Sequence, residues 1–426
     1  MELEKWNVQA IQNNRSLIFF ISILGIFLNQ SNVMFGFNLS LADISIVMIL
    51  LLLLMNELLD LPARTFALFF LFSFFLLMNS ILHIPGIHQI EIGRKDLLKD
   101  YFKLLVSLLY FSVGIQIAKI KLTEHFLKWF LAASTMIGLI GISLFFISIP
   151  TLSDKMLYMG SRLTGFMNDP NYFAVIQCAA LAVVLRIKIK QPLLKYASIV
   201  ILVLSIFSSG SKTGFVTLFF LLLIRVLHSV KEGKLKGINL FYILLVLSIL
   251  LIFSPYILQL LLSALDLVAE RFPIFSRVQM LLTDFEQAVS GGGSSRNIQW
   301  ETGIQLIKTH PVTGVGIGQN YLRLAGMITE DANIAHNTFI TMAAEWGLPI
   351  TSLLLIYMGK VFLAPVADKK NEQLSLTTKE MFFTFLIGSM AVSFNYSRIF
   401  WLLLGMIVFY SFPVSNIRSL RIKNSP

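Results

Sequence analysis

The chain has 426 residues, of which 56% are hydrophobic and 13% are charged. Soluble domains carry about 25% charged residues, so the composition excludes an ordinary soluble protein and indicates a polytopic membrane protein. The formal net charge of +11 comes without a basic run interleaved with aromatic residues, so nucleic acid is not an expected partner. The single cysteine, Cys178, excludes an internal disulfide and a metal site built from several cysteines.

Hydropathy predicts an all-α membrane protein with about 12 transmembrane helices, because a span needs roughly 20 apolar residues. The first apolar run follows Lys5 and Arg15 without a small-residue cleavage site, so we expect it to stay as a helix rather than be removed as a signal peptide. The predicted spans are residues 16–35, 41–59, 65–84, 99–118, 126–148, 169–187, 193–209, 213–229, 238–262, 335–364, 380–396 and 398–415.

The distribution of Lys and Arg predicts the orientation of these spans. With a cytoplasmic N-terminus, most of the 34 Lys and Arg residues fall on the inner side, as the positive-inside rule requires. Both termini are then cytoplasmic, and the protein is expected in the cytoplasmic (inner) membrane. The chain divides into three parts. They are helices 1–9 (residues 1–262), a large, partly helical extracytoplasmic loop (residues 263–334), and helices 10–12 with a cytoplasmic tail (residues 335–426).

The second half of this loop carries most of the candidate chemistry. Residues 291–295 read GGGSS and predict a flexible entry. Residues 296–308 predict a helix that ends at His310-Pro311. Arg296 lies at the N-terminus of this helix, where backbone N–H groups favour an anion. The apolar residues that share one face of it are Trp300, Ile304 and Ile307.

His336 is the strongest candidate for a catalytic group. It lies where the predicted loop re-enters the membrane, and a neutral imidazole there can accept a proton from a hydroxyl. The alternative is a helix-capping or interfacial histidine. His310 is interpreted as structural because His-Pro marks a helix end. The other histidines have no matched partners in the sequence and are interpreted as surface or interfacial residues: His83, His88, His125 and His228.

Cations near the predicted outer face suit a diphosphate. Charges at membrane depth are costly and usually functional, and arginine donates forked hydrogen bonds to phosphate oxygens. The alternative for each cation is snorkelling or contact with a lipid headgroup. The cations in question are Arg162, Lys212, Arg296, Arg323 and Arg398.

Further polar residues complete the candidate site. Asp331 and Glu345 are candidates for orienting His336 or binding sugar hydroxyls, and we count Trp300 and Asn337 with the substrate-binding residues. Asp169, within the sequence NDPN, predicts the N-cap of the sixth span. The sequence has no metal-ligand spacing such as HExxH and no grouped carboxylates, so no metal is expected.

Four stretches resemble the O-antigen ligase and O-antigen polymerase family of membrane glycosyltransferases, in the family's order. The predicted layout, with one large outer loop between spans nine and ten, is also similar. The stretches are RLTGFMNDPNYFA at 162–174, SGSKTGF at 209–215, RNIQWETGIQLIKTHPVTGVGIGQN at 296–320 and AHNTFITMAAEWGLPI at 335–350.

The resemblance implies an enzyme that transfers an oligosaccharide from undecaprenyl diphosphate to an acceptor hydroxyl on the outer face of the membrane. It implies no cofactor, nucleotide sugar or metal. The family's loop histidine corresponds to His336, and its loop arginine before the tryptophan corresponds to Arg296. Ligases, which transfer to lipid A–core, often carry an arginine where this sequence has Lys212. That departure favours a polymerase of O-antigen, capsule or exopolysaccharide repeat units, which transfers to another lipid-linked glycan.

A mechanism follows as a hypothesis. His336 deprotonates the acceptor, the oxygen attacks the anomeric carbon with inversion, and Arg296, Lys212 and Arg162 stabilise the leaving diphosphate. A flippase or transporter for lipid-linked oligosaccharides is the main alternative of a different class. The mid-span regions are nearly free of charge and the polar residues gather on one face, which favours the enzyme.

Overall fold

The structure is a computed structural model that describes residues 14–30, 33–34, 37–59, 63–91, 93–147, 149–231 and 296–412. The predicted span 238–262 and the part of the predicted loop before residue 296, including GGGSS, lie outside the described residues. The N-terminal residues up to 13 and the predicted tail beyond 412 lie outside them as well.

The described residues are mostly helical, as expected for an all-α membrane protein. A π-helical turn, Asn79–His83, joins α3 to α4, and a 3-10 turn, Lys369–Asn371, precedes α15. The helices, in chain order, are α1 Arg15–Phe27, α2 Leu41–Met55, α3 Ala63–Met78, α4 Ile84–His88, α5 Arg94–Lys119, α6 Thr123–Ser143, α7 Pro150–Met156, α8 Pro170–Arg186, α9 Pro192–Ser208, α10 Lys212–Lys231, α11 Arg296–Thr309, α12 Gln319–Ile328, α13 Thr338–Trp346, α14 Leu348–Leu363, α15 Glu372–Gly388 and α16 Arg398–Ser411. The short strands form two antiparallel pairs: β1 Val33–Met34 with β2 Phe37–Asn38, and β3 Leu157–Tyr158 with β4 Arg162–Leu163.

Several of these helices have the length and composition of membrane spans. Large hydrophobic side chains stand exposed along α3, such as Leu68 and Leu71, each 67% exposed, which is unfavourable in water and favourable in lipid. Shorter apolar helices occur at α1, α2, α8, α9, α14 and α16. In the part of the chain that the structure describes, four stretches are long and apolar enough to cross a membrane: Phe66–His88, Lys95–Lys119, Thr123–Ser143 and Lys212–Val230.

The predicted span 335–364 is wrong in extent, because the structure divides it at Gly347. This glycine has a φ of 81° and separates α13 from the apolar helix α14. A Cβ atom at Gly347 would collide with the carbonyl of Val312, so the close approach of the loop requires glycine. His336 and the short helix α13 therefore lie outside the apolar helix. The predicted span 380–396 is also displaced, since the helix there is α15.

Close helix packing forms the centre of the bundle. α5 and α16 approach each other at Gly114 and Gly405, where added Cβ atoms would collide with the carbonyls of Leu402 and Phe111. Small residues at such contacts let helix backbones come together in membranes. The partly buried Asp43 of α2 joins the same region, because it forms a two-bond ion pair with Arg398 at the start of α16.

Polar contacts show which helix ends lie together. Glu380 of α15 accepts from Arg186 at 2.5 Å and from Arg225 at 2.8 Å, which joins the later parts of α8 and α10. Near the beginnings of the same two helices, Ser211 Oγ donates to Asn171 Oδ1 at 2.8 Å. α8 and α10 therefore run in the same direction, and their first turns lie at the end of the bundle that carries the candidate site.

Candidate active site

The first two family-like stretches contact each other directly. Arg162 donates from Nε to the carbonyl of Ser209 at 3.0 Å, and from a terminal nitrogen to the carbonyl of Gly210 at 3.5 Å. These carbonyls belong to the turn that ends α9 and leads into Lys212, the first residue of α10. Arg162 thereby positions the turn before Lys212, whose side chain is partly buried.

His336 occupies a fixed position in the loop before α13. Its φ of 47° lies in the left-handed region, which histidine adopts more often than most residues other than glycine. The residues on either side are anchored: Ala335 is fully buried, and Asn337 caps α13 by accepting from the N–H groups of Phe339 and Ile340 at 3.0 and 3.2 Å. The backbone on either side of the partly exposed His336 is thus anchored. Asn337, predicted to bind substrate, uses its side-chain oxygen as this cap.

Two charged groups from other stretches act on the imidazole of His336. Burial lowers its pKa below 6.5; Asp169 acts in the opposite direction, and Arg296 lowers the pKa further. The structure therefore brings Arg296 and Asp169 within electrostatic range of His336. Because the pKa is lowered, the ring is neutral at neutral pH and has a lone pair that can accept a proton.

Asp169 has a second role that the sequence did not predict. The predicted N-cap is confirmed, since its Oδ1 accepts from the N–H groups of Asn171 and Tyr172 at 2.7 and 2.8 Å. The electrostatic effect on His336 was missed, because the two residues are far apart in the sequence and only the fold brings them within range of each other. The sequence NDPN indicated the N-cap but not the effect on His336.

Helix α11 places Arg296 at its first residue, as predicted, and ends at Thr309. Its buried face differs from the predicted one, since Ile304 is 42% exposed. The reason is Gly303, where an added Cβ would lie 2.6 Å from Ile340 and 3.1 Å from the Tyr321 hydroxyl. Trp300 is partly buried, and its Nε1 has no hydrogen-bond acceptor among the described residues. The residues that α11 buries are Gln299, Thr302, Gly303 and Leu306.

The glycine-rich turn after α11 is held by hydrogen bonds from three directions. The N–H groups of Val315 and Gly316 donate to the carbonyls of Ala344 and Glu345 at 2.8 and 3.0 Å, which satisfies the C-terminal end of α13. Ser80, in the π-helical turn, accepts from Ile317 N–H at 3.0 Å. The main-chain N–H of Gln319 donates to Asp100 of α5 at 3.1 Å.

Glu345 anchors the same turn from inside. It is 1% exposed, and its carboxylate accepts from Gly318 N–H at 3.0 Å, Asn395 Nδ2 at 3.2 Å and Tyr396 Oη at 2.7 Å. A carboxylate with three protein donors and almost no exposure lies away from solvent. The geometry thus places Glu345 behind the site, where it joins α13, the glycine turn and the segment before α16.

The remaining predicted cations have different environments. Arg398 donates from Nε and from a terminal nitrogen to the two carboxylate oxygens of Asp43, both at 2.7 Å. The Tyr110 hydroxyl also donates to Asp43, at 2.8 Å. Arg323 is exposed on α12 and makes no hydrogen bond or ion pair with another residue of the described ranges. Asp331 is also exposed, in the loop after α12.

The interpretation that the minor histidines have no partners is wrong, as His88 and His125 show. His88 Nε2 lies 3.0 Å from His310 Nε2, and His125 Nε2 lies 2.8 Å from Ser22 Oγ. Burial, His88 and His83 all lower the pKa of His310. Contacts between residues this far apart in sequence leave no local signal.

These observations define a helical membrane protein of the multi-pass type, with polar residues of four separate stretches converging at one end of the bundle. Residues 197–355 match the family described as O-Antigen ligase. This match confirms the resemblance to the O-antigen ligase and polymerase family and indicates a membrane glycosyltransferase of that type. The matched segment contains Lys212, Arg296 and His336, whereas Arg162 precedes it. The chain has no match among curated proteins.

Proposed function

We propose that this protein polymerises lipid-linked repeat units of O-antigen, capsule or exopolysaccharide on the outer face of the cytoplasmic membrane. The donor is an oligosaccharide on undecaprenyl diphosphate, and the acceptor is a hydroxyl of another lipid-linked glycan. The observation that carries the proposal is the placement of a partly exposed, neutral His336 within electrostatic range of Arg296. A base beside a cation suits a transfer in which a proton is removed and a diphosphate leaves.

His336 is the proposed general base. It takes the proton of the acceptor hydroxyl as the acceptor oxygen forms a bond to the anomeric carbon. The bond from that carbon to the phosphate oxygen breaks on the opposite face, and the diphosphate leaves with the electron pair. The products are the extended glycan, undecaprenyl diphosphate and a protonated His336, which returns its proton to solvent.

Arg296 is the proposed contact for the departing diphosphate. It is the first residue of α11, so the N–H groups of the first helical turn, which have no acceptor within the helix, add to its positive charge. Lys212 supports the same anion from the start of α10, and Arg162 orients the turn that carries Lys212. In this scheme Arg162 acts by positioning, which differs from its predicted direct contact with phosphate.

Other residues shape the site without taking part in the transfer. Asn337 caps α13 and fixes the backbone next to His336, and Glu345 holds the glycine turn. Trp300, one turn after Arg296 and partly exposed, is the proposed side chain against which a sugar ring packs. Arg323, exposed on α12, is the proposed first contact for substrate that approaches from the solvent.

The orientation proposed for the chain has cytoplasmic termini and an extracytoplasmic site. The end of the bundle with Arg186 and Arg225 then faces the cytoplasm, in agreement with the positive-inside rule. A cysteine-labelling experiment tests this. The native Cys178 is fully buried, so a single new cysteine at exposed Asp331 should react with a membrane-impermeant maleimide in intact cells, and one at exposed Lys190 should not.

Ligation is the second candidate function, since the matching family is described as O-Antigen ligase. Surface glycans of a deletion strain, complemented with the wild type or His336→Ala, separate the two functions on a gel. Loss of a polymerase leaves single repeats attached to the surface, whereas loss of a ligase leaves full-length polymer on undecaprenyl diphosphate. An unchanged glycan profile in the deletion strain contradicts both functions. Lipid-linked repeats trapped in the inner leaflet identify a flippase.

A further inference from the structure

His88 and His310 form an imidazole pair that the proposed transfer does not use. His88 is the last residue of α4, and His310 directly follows α11. Their Nε2 atoms lie 3.0 Å apart, and the ring centroids are separated by 4.9 Å with the planes inclined at 56°. Both side chains are partly exposed, so solutes can reach the pair from solvent.

Neighbouring hydrogen bonds determine which nitrogen of His310 carries the proton. Thr309 Oγ1 donates its hydrogen to the carbonyl of Leu306 at 3.0 Å, so towards His310 this oxygen presents only a lone pair. His310 Nδ1 lies 3.0 Å from the same oxygen and is therefore the donor. In a neutral ring the proton on Nδ1 leaves a lone pair on Nε2, which is the atom that faces His88.

This arrangement is the one that proteins use to prepare a histidine for metal binding. A ligating histidine almost always donates its other ring N–H to an oxygen, which fixes the tautomer and the ring orientation. We propose that His88 and His310 bind a divalent transition-metal ion such as Zn²⁺ through their Nε2 atoms, with water completing the coordination.

The distances fit such an ion after a small adjustment. Zn–N bonds of about 2.0–2.1 Å at a tetrahedral angle place two ligand nitrogens roughly 3.3 Å apart. The observed separation of 3.0 Å must therefore widen by only a few tenths of an ångström. His88 contributes a lone pair by carrying its proton on Nδ1 instead of Nε2. Within the described residues no third His, Cys, Asp or Glu joins the pair.

The ligands also set the chemical class of the ion. Imidazole nitrogen suits Zn²⁺, Cu²⁺ and Ni²⁺, whereas Mg²⁺ and Ca²⁺ prefer oxygen. The ion would fasten the end of α4 to the end of α11, next to the turn in which Pro311 accepts from Leu348 N–H at 2.8 Å. This site is independent of the proposed transfer mechanism, which uses no metal.

The test is a titration of the purified, metal-free full-length chain in detergent with ZnCl₂, followed by calorimetry, and with CoCl₂, followed by absorbance. We expect one ion per chain for the wild type and for the control His228→Ala. His88→Ala and His310→Ala should each abolish binding, and MgCl₂ should give no heat. Thr309→Val keeps both ligands but removes the oxygen that fixes the tautomer, so it should weaken Zn²⁺ binding by roughly 10–100-fold.

Two results would overturn the metal site. One is equal Zn²⁺ binding by the wild type and the double variant His88→Ala/His310→Ala, which would mean that other groups bind the ion. The other is a wild type that binds no Zn²⁺, in which case the two rings form a hydrogen-bonded pair only. Size-exclusion profiles and melting temperatures measured without metal show whether each variant is folded, and Thr309→Val tests the geometry without removing a ligand.

Discussion

Replacing His336 with asparagine tests the proposed base with little disturbance of the fold. The φ of 47° at this position strains most side chains, but asparagine tolerates the left-handed region well. His336→Asn therefore keeps the loop and removes the proton acceptor. A positioned general base contributes about 10²–10⁴-fold to a rate, which equals about 2.7–5.5 kcal/mol of activation free energy.

A comparison of two variants separates catalysis from stability. His336→Ala also removes the base, so its activity should match that of His336→Asn. Alanine has no polar side chain to support a left-handed backbone, so His336→Ala should be less stable by about 1 kcal/mol. Equal transfer rates with different melting temperatures would assign the rate loss to the missing imidazole.

The assay is the rate of undecaprenyl diphosphate release in membrane vesicles supplied with the lipid-linked donor. Protein abundance in the vesicles is measured by immunoblot, and His228→Asn, near the far end of α10, is the matched control. If His336→Asn retains more than about a tenth of the wild-type rate at equal abundance, His336 is not the base, because a general base contributes at least about 10²-fold.

Three further predictions concern the groups around His336. Arg296→Lys should lose most of the activity that Arg296→Ala loses, because lysine cannot make the forked phosphate contact; wild-type activity of the lysine variant would contradict this role. Only neutral His336 can act as the base, so the rate should fall as the pH drops through its pKa, which lies below 6.5. Asp169 raises that pKa, so Asp169→Asn should move this fall in the pH–rate profile to lower pH. An unchanged profile would show that Asp169 does not act on His336. Glu345→Ala leaves three donors without an acceptor at about 1–3 kcal/mol each, so it should lower the melting temperature well below that of the exposed control Glu301→Ala.

Local chemistry explains what the sequence could predict. Hydropathy located a helix at each of the first eight predicted spans, because burying a helix in lipid depends on the apolar content of one continuous segment. The cap at Asp169 and the helix that begins at Arg296 could also be predicted, because their signals are local. Capping, helical periodicity and proline stops depend on residues within a few positions of each other.

The break at Gly347 shows why other features could not be predicted. The sequence from Thr338 to Leu363 is apolar enough to suggest one span, yet α13 ends at Trp346, next to Glu345, whose carboxylate accepts from Gly318, Asn395 and Tyr396. These partners come from two distant segments. The ion pair of Asp43 with Arg398 likewise joins residues 355 positions apart, and neither residue alone identifies its partner.

That ion pair also bears on which cations stabilise a departing diphosphate. The charge of Arg398 is compensated by Asp43 in a half-buried, two-bond contact, and separating the two would leave an unpaired charge at a cost of about 3–5 kcal/mol. Arg162 directs its donors to the carbonyls of the turn before Lys212. Arg296 is the first residue of α11, where the helix dipole adds to its positive charge, and it lies within electrostatic range of His336. Stabilisation of the departing diphosphate should therefore depend more on Arg296 than on Arg398. Loss of Arg398 should lower the stability of the fold more than it lowers the transfer rate of each folded molecule.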